Sequence, residues 1–371
     1  MSTWSIRELL SPVITRLFVY GVNPIDVEGA LRTVEGTHHM NARSLERTWL
    51  AAWDEKAVRY QHSADEAKRR EDRLSAAALY RLAAGCRYAS FLINPASIEE
   101  KKQIYLQFAS LYASSEACYE RPAIRIDVPV GENVLTGTLH LPDRHPRVCA
   151  VIFTGLGSCK EELHSSARAL VERGTAAFVP DMPGCGESLF SRGTICRFET
   201  LEAAFSRILD VLERREELSN TIFGSYGLCM GGGYAHRAAC ADARYRFCAT
   251  LFMLFITHNP VERVPLWIRR GAWFDFQTGG VSPEDFLVEM AGLAEGALDC
   301  PFLFIHARHD NWMPLDVAEA FFDRARGEKH RLILEEPPVF SGQHSVTHTM
   351  PVGEQLSWVR HIAADWIGKA V

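Results

Sequence analysis

From the start of the chain to about Tyr119, apolar residues recur at spacings of three and four, clearest through LERTWLAAWDEKAVRYQ and RLSAAALYRLAAGCRYASFLI. That period places them on one face of successive helices, and few glycines or β-branched runs interrupt it. A further helix is predicted after Pro95, where Ser97 followed three residues later by Glu100 forms a capping box. At Ala123 the period changes to two: AIRIDVPV, a Gly/Asn turn, then VLTGTLHLP read as a β-hairpin. Beyond it apolar strands alternate with helical stretches: VCAVIFTG, a helix from about Glu161, TAAFVPD, a helix around Leu201, TIFGSYGLC, a helix from Met230, FCATLFML, PFLFIHAR, a helix from Pro314, and RLILEE. Such alternation predicts a mainly parallel, doubly wound α/β sheet with helices on both faces. Two domains follow, a helical one over 1–120 and an α/β one over 121–371, with an aromatic-rich insertion at about 256–300 expected to form a lid.

Composition narrows the class. With 47% hydrophobic and 23% charged residues, the 371-residue chain has the make-up of a globular protein with a substantial core. A net charge of −6 without a basic block argues against nucleic acid as partner, leaving a small molecule or another protein; a homodimer is compatible with the sequence. The most apolar early segment, SPVITRLFVYG, is interrupted by Arg16 and lacks a basic leader, so neither a membrane span nor export is expected and the location reads as cytoplasmic. Ten cysteines are spread without C-x-x-C or zinc-ligand spacing, so they read as free thiols, with no metal and no cofactor expected.

The chemistry concentrates where the strand TIFGSYGLC runs into Gly227-Leu228-Cys229-Met230-Gly231-Gly232-Gly233. This is a G-x-nucleophile-x-G elbow with Cys in place of Ser, and its glycines allow a strand to turn abruptly into a helix. At a helix N-terminus the macrodipole favours thiolate, the reactive form of a thiol. The alternative is a Gly-rich turn around an inert, buried Cys. Asp310 ends the strand PFLFIHAR and His344 follows the next strand, so nucleophile, acid and base run in α/β-hydrolase order. Ser225 fails as the elbow centre because Phe223 stands where Gly is needed; His348 is the second choice of base, while Asp316 and His309 are less well placed than Asp310. Oxyanion donors are expected from the amide of Met230 and from the loop Gly155-Leu156-Gly157, with Leu156 preferred and Gly157 as the alternative. Trp267, Trp273, Phe274 and Phe276 of the insertion, with Trp312, are candidates for an aromatic pocket wall; ordinary core packing is the competing account.

The hairpin, the loop T-G-L-G-S-C-K-E-E, the segment D-M-P-G-C-G-E-S, the elbow and the helical N-terminal region together resemble the FrsA-like α/β-hydrolases, the group of 2,6-dihydroxypseudooxynicotine hydrolase and the Ayg1-type enzymes. The resemblance spans nearly the whole chain. It implies a helical N-terminal cap and cleavage of a bond beside a carbonyl in an aromatic or polyketide-like small molecule. It carries the family's Ser onto Cys229, and its acid and base onto Asp310 and His344. Hydrolysis of a carbon-carbon, ester or lactone bond through an acyl-cysteine is the leading expectation. Acyl transfer or cyclisation from the same thioester is the first alternative, and a degenerate binding protein the second.

Overall fold

The computed structural model describes residues 6–37, 42–93, 97–155, 157–255, 272–310, 313–335 and 354–370. The chain divides into two compact units, Met1–Ala123 and Ile124–Val371.

The first unit is helical: α1 (Ile6–Tyr20), α2 (Pro24–Glu35), α3 (Ala42–Arg69), α4 (Arg73–Leu92) and α5 (Ile98–Glu116). In α3 the buried positions Trp49, Trp53, Ala57, Ala64 and Ala67 keep the three-and-four spacing, and the Trp49 indole N–H donates to the Ala89 carbonyl of α4 at 2.9 Å. The expected cap forms, with the Ser97 hydroxyl accepting the Glu100 N–H at 3.3 Å. Tyr20, Tyr88 and Phe108 pack ring to ring in the centre of this unit.

The second unit holds an eight-stranded sheet, in the order β1-β2-β4-β3-β5-β6-β7-β8. Its strands are β1 (Ile124–Val130), β2 (Asn133–His140), β3 (Val148–Phe153), β4 (Ala176–Pro180), β5 (Ile222–Leu228), β6 (Tyr245–Leu251), β7 (Phe302–Ala307) and β8 (Lys329–Leu334). The β1–β2 hairpin and the β2–β4 pair are antiparallel, and every other pairing is parallel. The connecting helices are α6 (His164–Val171), α7 (Gly186–Phe190), α8 (Phe198–Leu212), α9 (Met230–Ala241), α10 (Ala272–Thr278), α11 (Pro283–Glu289), α12 (Leu315–Arg324) and α13 (Glu354–Ile367). Strands β3 and β4 are buried along their whole length, as expected where helices cover both faces. A bulge between β5 and β6 lets Tyr245 pack toward Phe153 while Phe247 turns to Trp366 of α13. This is the α/β-hydrolase architecture. Among the described residues no helix is long and apolar enough to cross a membrane.

Between β6 and β7 the described part of the insertion is α10, α11 and a 3-10 turn over Met290–Ala294. Gln277 ties α10 to the segment after β4: its amide donates to the Gly184 carbonyl and its own carbonyl accepts the Cys196 N–H.

Candidate active site

Cys229 is the single residue between β5 and α9, and its backbone lies at φ 58°, ψ −129°. A side chain at positive φ stores on the order of 1–3 kcal/mol and persists only where its surroundings enforce it. Here they do. The Cys229 N–H donates to the Leu251 carbonyl (3.0 Å), and its carbonyl accepts from the Gly232 (2.8 Å) and Leu254 (3.0 Å) N–H groups. The chain that buttresses the elbow, just after β6, is itself strained, with the buried Phe252 at φ 49°.

Two of the elbow glycines are required by close approach. A β-carbon on Gly227 would lie 2.0 Å from the Gly231 carbonyl oxygen, and one on Gly231 would lie 2.1 Å from that of Phe153. The second approach seats the end of β3 against the start of α9. A β-carbon on Gly155 would be 3.7 Å from the Met230 nitrogen, so the loop after β3 adjoins the amide of the residue following the nucleophile. As the first residue of α9, Met230 has its N–H outside the helical ladder. Of the two loop residues considered as second donor, Gly157 is described, with its backbone at φ 78°. Leu156 lies outside the described residues.

Asp310 is buried beyond the end of β7; its Oδ1 accepts the Met313 N–H at 3.0 Å. His306, also buried, lies with Nε2 at 3.9 Å from Asp310 Oδ2 and at 2.8 Å from the Met313 carbonyl, to which it donates. Leu228 pairs with Leu251 and Leu251 with Ile305, so Cys229 and Asp310 leave the same edge of the sheet two strands apart, about 10 Å at ordinary strand spacing. An imidazole with a hydrogen bond on each ring nitrogen spans a gap of that order. His344 and His348 lie outside the described residues, as do Trp267 and Trp312. Asp316 is exposed in the first turn of α12, and His309 is exposed.

Trp273 sits in α10, with its side chain outside the described residues. Phe274 is buried and meets Phe286 edge to face at 5.3 Å, while Phe276 faces Phe190. Phe286, with Met290 and Leu293, closes an apolar cavity over Met230, Tyr234 and Leu254 of about 10 Å³. That is room for roughly one water-sized sphere, in a lining that would keep it dry.

All ten cysteines are free thiols. Burial pushes those of Cys86, Cys149, Cys196 and Cys300 up to about 12 and that of Cys240 to about 11. It holds Cys159, Cys185 and Cys248 well above the ordinary thiol range. Cys229 is half-buried on the elbow. Among the described residues no three His, Cys, Asp or Glu side chains gather as metal ligands would.

One group went unread as a site in the sequence. Lys160 is buried with its ammonium 3.0 Å from Asp181, 3.0 Å from Glu187 and 2.8 Å from Glu161. Burial holds the Asp181 carboxyl above its ordinary range, against the pull of Lys160 and with Glu161 adding to the rise. Glu187 is held low despite its burial because Arg125 and Lys160 both bond it. The motifs K-E-E and D-M-P-G-C-G-E-S contain these three carboxylates, and their pairing was the available signal.

No family model matches the chain. It is 26% identical over 366 residues to 2,6-dihydropseudooxynicotine hydrolase of Paenarthrobacter nicotinovorans, covering 95% of this chain and 90% of that protein. It is 29% identical over 246 residues to the alpha/beta hydrolase xenA of Xenoacremonium sinensis, a match over 59% of this chain and 56% of xenA. The crystal structure of 2,6-dihydroxy-pseudo-oxynicotine hydrolase superposes with a TM-score of 0.72 at 20% identity, covering 96% of this chain and 95% of that one. Wild-type AbyA5 superposes with a TM-score of 0.64 at 16% identity, covering 90% and 88%. With its mainly parallel sheet, the chain has the α/β-hydrolase fold, and over nearly its full length it is similar to 2,6-dihydropseudooxynicotine hydrolase.

Proposed function

We propose that this protein is an enzyme that opens a carbon-carbon, ester or lactone bond beside a carbonyl through an acyl-cysteine on Cys229. The observation that carries this reading is the strained elbow, which holds a half-buried thiol at the N-terminus of α9 beside a loop of approachable backbone. His344 takes the thiol proton as Sγ attacks the carbonyl carbon, and Asp310 orients the imidazole. Negative charge develops on the carbonyl oxygen, where the amides of Met230 and of the loop at Leu156 donate to it. Collapse expels the leaving group, which takes the proton from His344. Water, deprotonated by the same imidazole, then attacks the thioester and releases the acid and the free thiol.

A substrate of aromatic or polyketide-like character is supported by the similarity to 2,6-dihydropseudooxynicotine hydrolase. Sulfur in place of oxygen favours a second reading, acyl transfer, because a thioester yields readily to amines and carbon nucleophiles.

The test is on Cys229. Iodoacetamide below one equivalent is expected to modify Cys229 ahead of its nine fellows, and Cys229→Ala is expected to abolish turnover of an activated ester. Labelling spread over several cysteines, or full activity in Cys229→Ala, defeats the reading. Cys229→Ser separates the two outcomes. A hydrolase keeps measurable hydrolysis with serine, whereas transfer to an added amine falls much further, since an oxygen ester is the poorer acyl donor. His344→Ala is expected to slow both reactions; a larger loss in His348→Ala reassigns the base.

A further inference from the structure

The loop between β3 and the turn at Lys160 contributes to the site through its backbone, so what holds that backbone still matters to the chemistry. Three contacts from the segment after β4 grip it. Thr154 at its start donates its hydroxyl to the Pro180 carbonyl and accepts the Met182 N–H, both at 3.0 Å. In its middle, the Cys185 thiol donates to the Gly155 carbonyl at 3.2 Å, and the Ser158 N–H donates to the same carbonyl at 3.0 Å. At its end, Asp181 accepts the Lys160 N–H at 2.6 Å and the Lys160 ammonium at 3.0 Å. The Asp181 carboxylate also accepts the Glu187 N–H at 2.8 Å, and Gly186 leaves the room for it: a β-carbon there would lie 2.3 Å from the carboxylate.

This arrangement is an expensive way to stabilise a fold. Burying an ammonium among three carboxylates gains little net energy over well-packed apolar groups, and its best-attested use is to specify one geometry. A buried cysteine is also an ordinary core residue, but here its thiol donates to a carbonyl of the oxyanion loop. The backbone being fixed is that of Gly155 and Ser158, of which Gly155 adjoins the Met230 amide. An oxyanion site works only when its donors are aimed before the charge appears.

We propose that Cys185 and the Lys160–Asp181 pair are positioning residues for the oxyanion loop: they hold its peptide groups in register with the Met230 amide without touching the substrate. The inference rests on the acyl-cysteine reading. It separates two reactions of the same thiol, since acylation builds an oxyanion and alkylation by iodoacetamide does not.

The experiment measures both on the full chain. Acylation of Cys229 by p-nitrophenyl acetate is followed as release of p-nitrophenolate, and alkylation by iodoacetamide is followed by mass. In Cys185→Ala and in Lys160→Met, kcat for acylation is expected to fall tenfold or more with KM within about twofold, while alkylation stays within about twofold of wild type. Cys185→Ser, which keeps a donor and an acceptor, is expected to recover most of the loss. Acylation and alkylation falling together, or acylation unchanged in Cys185→Ala, overturns the proposal. If Lys160→Met fails to fold, the Cys185 pair decides alone. A wild-type protein that forms no acyl adduct on Cys229 overturns the acyl-cysteine reading, and this inference with it.

Discussion

Cys229 occupies a backbone conformation that suits glycine better than any residue with a β-carbon, and hydrogen bonds at its own N–H and carbonyl keep it there. The strain belongs to the backbone, not to the sulfur. Cys229→Gly is therefore expected to be more stable than Cys229→Ala by about 1 kcal/mol, since both lack the thiol and only the alanine keeps the penalty. Urea unfolding of the two variants measures this; equal midpoints would mean that the elbow is relaxed. At this scale the glycine pattern was readable, because only a missing side chain fits 2.0 Å from a carbonyl oxygen. Phe252 was not readable: nothing in its residue type announces a positive φ, which the connection after β6 imposes on it.

Among the elements, α9 does two things at once. Its N-terminus carries the nucleophile, and its body is buried through His236, which meets Phe255, Phe302 and Phe321 edge to face. Burial, with Arg324 and Arg237 nearby, lowers the His236 imidazole to about 3 from its ordinary 6.5. A depressed histidine contributes stability that is complete above the unfolded value and is lost as pH falls toward the folded one. The loss is up to about 1.4 kcal/mol per pH unit between roughly 6.5 and 3. Asp181 runs the other way: its raised value favours the folded state at low pH and that contribution fades as pH rises. Because both proteins share Asp181, the difference between wild type and His236→Gln isolates the histidine. Unfolding midpoints from pH 7 to 4.5 are expected to fall less steeply in His236→Gln, and parallel curves would remove His236 as the cause.

The alternation of strands and helices was legible at this scale, but the segment at Lys160 was not. KEEL reads as the charged start of a helix; it forms a 3-10 turn whose four residues are all buried, followed by α6. A charged run looks solvated in sequence because its partners, Asp181 just after β4 and Glu187 in α7, lie on another segment of the chain.

At the scale of the molecule, the helical unit has a core of its own: Trp49, Trp53, Tyr88, Phe91, Tyr105 and Phe108 are all almost fully buried. Residues 1–123 made alone are expected to be helical by circular dichroism and to melt cooperatively, with Trp49 and Trp53 emitting as buried indoles. A fragment without cooperative melting would show that this core depends on the rest of the chain.

The sequence by itself determined what depends on near neighbours. The change of period near residue 123, the strands and their order along the chain, the cap at Ser97 and the elbow around Cys229 are set by spacing, caps and glycines within a few residues. Tertiary structure alone decided what depends on distant segments meeting. The register that brings the ends of β5 and β7 to one edge, the strain at Phe252, the grip of Cys185 on the loop after β3 and the burial of Lys160 all join residues 21 or more apart in the chain or lying on different strands. Local propensity carries no information about such pairs, because the energy that fixes them, burial and hydrogen bonds completed away from water, exists only once the sheet has closed around them.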